Sequence, residues 1–195
     1  MRQAEIVRNT NETKINLTLE LDGTGKSQID TGCGFLNHML TLFAAHGRFD
    51  LNASCRGDTE VDDHHTVEDI GIALGQAFTR ALGDKRGITR YGQFLLPMDE
   101  TLVLCAVDLS GRDFLGWGLT LPAAKVGTFD TELAKEFWVG FVRQCPCALH
   151  FRQMSGENTH HILEAAFKGA GRALCMAVSM DAERPGEIPS TKGTL

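Results

Sequence analysis

The chain has 195 residues, of which 43% are hydrophobic, and carries a formal net charge of -6 with an isoelectric point near 5.6. This length fits one large domain or two small fused units, and the apolar fraction is ample for a core. The acidic balance argues against nucleic acid or an anionic membrane as a partner.

The cysteine pattern and the start of the chain bear on its compartment. The six cysteines form no C-x-x-C pair, so we expect reduced, mostly buried thiols of a cytosolic protein. The first residues carry no apolar signal region, and no apolar run reaches membrane-spanning length. We therefore expect a cytoplasmic chain without a membrane partner.

The first part of the chain combines alternating segments with helical runs. The clearest alternation lies in residues 13–22, where Ile15, Leu17 and Leu19 face one way between polar neighbours. The predicted elements are strands 4–9 and 13–22, a short helix 35–46, a strand 48–56 and a helix that runs to Leu82.

The rest of the chain repeats this order of strands, short helix, strand and long helix. The predicted elements are strands around 90–96, 101–109 and 114–121, a helix 132–144, a strand 148–154 and a helix to about Val178. We infer an internal duplication within one compact α+β domain, with residues 1–86 as the first half and 87–195 as the second.

One motif occurs twice, as HHTVE in residues 64–68 and as HHILE in residues 160–164, each at the start of an apolar helical run. Positions i and i+4 of a helix share a face, whereas i and i+1 diverge by about 100°. His64 can therefore bind a metal together with Glu68, while His65 points towards a second one. Imidazoles and carboxylates suit a borderline-hard divalent ion. A single copy could be surface histidines, but two copies in matching contexts predict two metals that draw ligands from both halves.

His38 and Glu136 occupy equivalent places on the two predicted short helices. A histidine beside an apolar stripe usually serves the core or a cap, but this equivalence favours a ligand role. Eight ligands over two metals would leave open positions for substrate or water. The predicted ligands are His38, His64, His65, Glu68, Glu136, His160, His161 and Glu164.

Other charged residues allow two interpretations. Asp62 and Asp63 could orient the adjacent imidazoles or suit a helix N-terminus, and we favour the second. Arg90, Arg112 and Lys192 each lie beside Gly, Ser or Thr and are candidate phosphate-binding groups, although an isolated basic residue is usually a surface charge.

Six segments, in order and without large gaps, carry a family resemblance. They are Phe35 to Leu40, His46-Gly47, Asp62 to Asp69, Asp108 to Arg112, His160 to Ala165 and Pro189 to Gly193. These segments closely resemble the imidazoleglycerol-phosphate dehydratases of histidine biosynthesis, and the resemblance runs from about Ala4 to the C-terminus.

The resemblance implies a lyase that converts D-erythro-imidazole-glycerol phosphate into imidazole-acetol phosphate, with two Mn²⁺ ions per active site. It implies an imidazolate held between the two ions, loss of hydroxide from C3 through a diazafulvene-like intermediate, and removal of the C2 proton by a base. The resulting enol ketonises. We expect a monofunctional form, since no phosphatase segment is fused to the chain.

The resemblance also assigns roles to residues. It implies one metal held by His64, Glu68, His161 and residue 136, and the other held by His38, His65, His160 and Glu164. Some relatives carry His where this chain has Glu136, so its ligand role is open. Glu12 would otherwise be a solvated turn residue, but it matches a substrate-contacting acid and is the candidate acid/base. Glu68 and Glu164 are the alternatives. The further substrate contacts implied are the metal-site histidines together with His46, Glu68, Arg90, Arg112, Lys168, Ser190, Thr191 and Lys192.

The fold implied is of the ribosomal protein S5 domain 2-like type, with two β-β-β-α-like halves and helices packed between two mixed β-sheets. The resemblance further implies a homo-oligomeric cage of 24 subunits whose active sites lie between subunits. A dinuclear phosphate-ester hydrolase would be expected to use more carboxylates and fewer histidines. A ferritin-like storage bundle needs four long helices, which the period-two segments exclude.

Overall fold

The computed structural model describes residues 2–195, which form four α-helices and ten β-strands. The first six elements are β1 (Gln3–Asn9), β2 (Thr13–Glu20), β3 (Ser27–Asp30), α1 (Gly34–Gly47), β4 (Asp50–Gly57) and α2 (His64–Leu82). The remaining elements are β5 (Tyr91–Met98), β6 (Thr101–Asp108), β7 (Phe114–Gly118), β8 (Lys125–Val126), β9 (Phe129–Asp130), α3 (Leu133–Gln144), β10 (Ala148–Ser155) and α4 (Thr159–Val178).

The strands form two four-stranded sheets of the same topology. The first has the order β1-β2-β4-β3 and the second β5-β6-β10-β7. In each sheet three strands are antiparallel and the last pair, β3 with β4 or β7 with β10, is parallel. This confirms the predicted α+β duplication with two mixed sheets. The exact boundary between the halves stays a prediction, and the short strands β3, β8 and β9 were not predicted.

The helices lie between the two sheets, as expected. The long helix α2 packs on β1 and β2, and α4 packs on β5 and β6. Each long helix also packs against the short helix of the other half, α2 against α3 and α1 against α4. The exchange of short helices brings His38 of α1 beside α4 and Glu136 of α3 beside α2.

The two helix crossings are close because each has a glycine at the contact. A Cβ at Gly75 would lie less than 3.0 Å from the carbonyl oxygen of Phe141, and a Cβ at Gly171 would lie 2.6 Å from that of Phe43. Gly75 and Gly171 are 96 residues apart, the same spacing as the two HHxxE motifs. The closest approach of the helices therefore recurs at equivalent positions in the two halves.

An aromatic cluster fills the space between the crossings. Phe43, Phe78, Phe141 and Trp138 are fully buried, and their ring centroids lie 5.4 to 6.2 Å apart in tilted or edge-on pairs. Burying one such ring contributes about 1.5–3 kcal/mol. These residues come from both halves, so the two halves share one core.

The six cysteines are free, and all except Cys175 are buried. Within residues 2–195, no helix is both long enough and apolar enough to span a bilayer.

The glycine crossings give a test of packing. We expect G75A and G171A each to lower the free energy of unfolding by about 1–3 kcal/mol, because an added methyl would press on a helix backbone that cannot yield locally. Chemical denaturation measures the loss. The control is G34A at the start of α1, where an added Cβ meets nothing within 4 Å. A stability of G75A and G171A equal to that of G34A would contradict the close crossing.

Candidate metal centre

The HHxxE motifs lie at the first turns of α2 and α4, where main-chain amides need acceptors. The side chain of Asn158 accepts hydrogen bonds from the amides of His160 and His161. The carboxylate of Asp62 accepts one from the amide of His64 at 2.7 Å. Asp62 therefore serves the helix start, as favoured from the sequence, and fixes where the motif begins.

One cluster of metal-ligand type stands out at the contact of α1 with α4. The Nε2 atoms of His38 and His160 lie 3.4 Å and 3.0 Å from Oε2 of Glu164. Ligand atoms of all three residues lie within 4.8 Å of one another. The i, i+4 pairing of His160 with Glu164 and the role of α1 were both expected, and the structure brings these residues together.

The carboxylate of Glu164 is held firmly in place. Its side chain is only 9% exposed and forms an ion pair with Lys168 one turn along α4. Burial pushes the pKa of Glu164 upwards, but the hydrogen bond and charge of Lys168, helped by His160 and His38, outweigh it and keep the pKa below its ordinary value. Glu164 is therefore a charged acceptor at neutral pH.

His46 lies about two turns from His38 on α1 and belongs to the same region. Burial lowers its pKa, and the positive charges of Lys168 and Arg172 lower it further. His46 is therefore neutral near pH 7, with one ring nitrogen able to accept a hydrogen bond from a bound molecule.

The corresponding residues of α2 are more loosely arranged. Nε2 of His64 lies 3.6 Å from Oε2 of Glu68, whose side chain is 32% exposed. Glu136 is half-buried in the first turn of α3, the helix that packs on α2. In residues 2–195 it takes part in no hydrogen bond or ion pair, so its side chain is available as a ligand.

His65 and His161 stand apart from these clusters, as the helical geometry predicts. The Nδ1 atom of His65 donates to Asp58 at 2.9 Å, and its Nε2 lies 3.7 Å from Glu12. The Nδ1 atom of His161 donates to Glu100 at 2.8 Å. These carboxylates raise the pKa of both histidines. Within the described part of one chain, His65 does not join the cluster of His38, His160 and Glu164.

The predicted phosphate contacts lie at one end of the second sheet, where β5 and β7 begin and β6 ends. The guanidinium of Arg90 donates to both oxygens of Asp108 at 2.7 Å and 3.2 Å and to the carbonyl of Pro189 at 2.8 Å. A cavity of about 520 Å³ is lined by Arg90, Ser190 and Thr191. Arg90 thus ties the start of β5 to the C-terminal tail.

Arg112 and Lys192 lie near the same end of the second sheet. Arg112 follows Gly111, at which a Cβ would lie 3.0 Å from the carbonyl carbon of Leu195, so the tail passes close to this loop. The amide of Lys192 donates to the hydroxyl of Ser190. The tail that lacks sequence periodicity therefore lies beside both arginines.

Asp58 and Glu100 are the site residues that sequence reasoning did not select. A signal for Glu100 was present: it directly precedes Thr101 at the start of β6, just as Glu12 precedes Thr13 at the start of β2. Asp58 follows β4 directly, and nothing in its local pattern indicated that its carboxylate reaches His65.

The donors present fit a divalent metal. Two ligand atoms that share an ion at bonds of about 2.1 Å lie roughly 3 to 4 Å apart. The separations of 3.0 Å and 3.4 Å in the cluster of His38, His160 and Glu164 fall in this range. Two imidazoles with one carboxylate suit Mn²⁺ or Zn²⁺, and the incomplete set leaves room for further ligands.

Comparison with known proteins identifies a family. The family model for imidazoleglycerol-phosphate dehydratase matches residues 31–174. Among curated relatives, the imidazoleglycerol-phosphate dehydratase of Desulforamulus reducens is 58% identical over 194 residues, covering 100% of this chain and 98% of the relative. That of Azorhizobium caulinodans is 56% identical over 195 residues, covering 100% and 99%.

Solved structures of imidazoleglycerol-phosphate dehydratases share the fold of this chain. A crystal structure of imidazoleglycerol-phosphate dehydratase from Staphylococcus aureus has a TM-score of 0.83 and 43% identity, covering 91% of this chain and 99% of that one. The enzyme from Pyrococcus furiosus has a TM-score of 0.83 and 38% identity, covering 97% and 100%.

The raised pKa values of His65 and His161 predict a pH dependence of metal-free protein. A histidine whose pKa is raised by folding adds stability below its ordinary pKa of about 6.5, and this is lost as pH rises through the raised value. The melting temperature of H161Q should therefore lie furthest below that of wild type near pH 6, and the gap should narrow towards about pH 9. H150Q, on the exposed face of β10, is the control. A gap for H161Q that stays constant would contradict the pairing with Glu100.

Proposed function

The chain belongs to the imidazoleglycerol-phosphate dehydratase family, and from this premise we propose that it works with two Mn²⁺ ions per active site. It is an enzyme, a carbon–oxygen hydro-lyase of histidine biosynthesis. The observation that carries the metal proposal is the close grouping of His38, His160 and Glu164.

The proposed reaction removes water from D-erythro-imidazole-glycerol phosphate and yields imidazole-acetol phosphate. Counted from the phosphate-bearing carbon, hydroxide leaves from C3, a proton leaves from C2, and the enol becomes the ketone. The two ions, when bound, would act as Lewis acids on the two ring nitrogens and hold the substrate ring as an imidazolate. The protein must then orient the glycerol chain and remove the C2 proton.

The proposed ligand sets are those implied by the family. His38, His65, His160 and Glu164 would hold one ion, and His64, Glu68, Glu136 and His161 would hold the second. Helix exchange supports this division, because it places α1 beside α4 and α3 beside α2. Since His65 and His161 lie outside these clusters in one chain, we propose that another copy supplies them.

Glu12 is the proposed base for the C2 proton. Its side chain is 53% exposed and approaches Nε2 of His65 at 3.7 Å. Glu164 is less suited, because Lys168, His160 and His38 already surround its carboxylate. Glu68 lies beside His64 in the position of a ligand. A carboxylate that is not committed elsewhere is best placed to accept a proton.

The phosphate of the substrate is proposed to bind at the end of the second sheet where Arg90 and Arg112 lie. Arg90 uses three of its five N–H groups on Asp108 and Pro189, which leaves two for a ligand. The further contacts proposed for the substrate are Arg112, Ser190, Thr191, Lys192, Lys168 and His46. The basic groups among them would neutralise the phosphate charge.

We further propose the homo-oligomeric 24-subunit cage and a cytoplasmic location. The positions of His65 and His161 outside the cluster of His38, His160 and Glu164 in one chain support assembly, because another copy would then supply them. Six free cysteines support a reducing compartment.

Removal of metal tests the cofactor. We expect turnover of imidazole-glycerol phosphate to vanish after treatment with a chelator and to return with Mn²⁺, because the ring must be held as an imidazolate. Product is followed by the ultraviolet absorbance of its enolate in alkali. Calcium, which prefers oxygen ligands, serves as the control ion. Full turnover by metal-free protein would rule out this mechanism.

Glu12→Gln tests the base. The variant should keep its bound manganese and lose about 10²–10⁴-fold in kcat, which is the usual contribution of a positioned acid or base. Steady-state kinetics and metal analysis measure the two quantities. The control is E5Q, which removes an exposed carboxylate from the neighbouring strand β1. Unchanged turnover in E12Q would transfer the role to Glu164 or Glu68.

A further inference from the structure

His65 and His161 are each held by a carboxylate at the ring nitrogen Nδ1, and the two carboxylates come from non-equivalent places in the duplicated fold. We propose that Asp58 and Glu100 are positioning residues, which orient these two histidines so that only Nε2 of each ring is open to a metal. The inference rests on the proposed function, in which His65 and His161 are metal ligands.

In the first half, Asp58 lies directly after β4. Both of its carboxylate oxygens face Nδ1 of His65, at 2.9 Å and 3.2 Å, and its amide donates to the carbonyl of Glu12 at 3.1 Å. A neutral imidazole that donates from Nδ1 keeps its lone pair on Nε2. Asp58 therefore selects the nitrogen that can bind a metal and links it to the turn that carries Glu12.

In the second half, Glu100 lies in the turn between β5 and β6. One carboxylate oxygen accepts from Nδ1 of His161 at 2.8 Å. The other accepts from the amides of Asn158 and Glu157 at 2.9 Å and 3.2 Å and from the hydroxyl of Thr101 at 3.0 Å. Four donors fix this carboxylate, so the ring of His161 is fixed as well.

The two halves use equivalent acids differently. Glu12 and Glu100 each precede the threonine that begins the second strand of a sheet. In the second half, Glu100 pairs with Nδ1 of His161. In the first half, Asp58 pairs with Nδ1 of His65 instead, and the side chain of Glu12 stays half-exposed. Asp58 therefore has two consequences: it orients His65, and it keeps Glu12 free for the substrate.

The physical effect on a metal is known in direction and size. A carboxylate that accepts from the second ring nitrogen of a ligating histidine fixes the tautomer and raises the basicity of the other nitrogen. Loss of such a partner typically costs 10–100-fold in metal affinity. The same loss is expected at both histidines.

The experiment measures Mn²⁺ affinity of the full-length chain by electron paramagnetic resonance of the free ion. We expect D58N and E100Q to bind at least one equivalent of Mn²⁺ about 10–100-fold more weakly than wild type. D58A should be weaker than D58N, because asparagine still offers an acceptor oxygen to Nδ1 while alanine offers none. Controls E60Q and E157Q remove the same charge from exposed side chains that make no hydrogen bond or ion pair within residues 2–195, and should stay within about twofold of wild type.

Melting of the metal-free proteins separates positioning from folding. Under the proposal, affinity follows the acceptor at Nδ1, in the order wild type, D58N, D58A, even where the melting temperatures agree. Affinities that simply follow the melting temperatures would overturn the inference. So would wild-type affinity in D58N and E100Q, or equal losses in E60Q and E157Q. A wild-type chain that binds no Mn²⁺ would instead overturn the proposed function on which the inference rests.

Discussion

The constraint on which the site depends is the close crossing of a short helix of one half over the long helix of the other. At Gly75 and Gly171 the helix backbones approach so closely that no side chain fits between them. Because their backbones are in contact, the two helices cannot shift along one another without losing their packing against the shared aromatic cluster. The residues that face one another across the crossings are therefore fixed in register. Among them are His38 on α1 and Glu164 on α4, which come from opposite halves of the sequence.

Polar and charged groups lie close together at this crossing because each has a partner. The amides at the helix starts donate hydrogen bonds to the side chains of Asn158 and Asp62, so the first turns are satisfied without using the imidazoles. Lys168 compensates the buried charge of Glu164, which an apolar environment alone would neutralise. The imidazoles at the crossing are therefore not needed for the helix starts, because other groups perform these structural tasks.

The sequence predicted most of the fold, because its signals are local. Alternation of polar and apolar residues identified the long strands. The repeated HHxxE motif identified the duplicated helices and showed that His38 and Glu136 occupy equivalent positions. Strand β3 has only four residues and pairs in parallel with β4, so neither its length nor its turn produced a signal. Asp58 and Glu100 were missed for a different reason: their roles depend on which carboxylate reaches a ring nitrogen, and this distance is set by tertiary packing. The exchange of short helices likewise has no local signal, and only the ligand sets implied by the resemblance joined His38 to the second motif and residue 136 to the first.

The duplication does not make the two motifs equivalent. Four residues after Glu164 stands Lys168, which pairs with it, whereas Ile72 stands at the corresponding place after Glu68. Glu164 is consequently buried and fixed, while Glu68 is more exposed and lies farther from its histidine. The substrate of this family is itself unsymmetrical, a ring with two similar nitrogens and a phosphorylated chain on one side. Under the proposed function, a site with one buried, fixed carboxylate and one more exposed carboxylate would hold both nitrogens and still distinguish the side on which the chain lies.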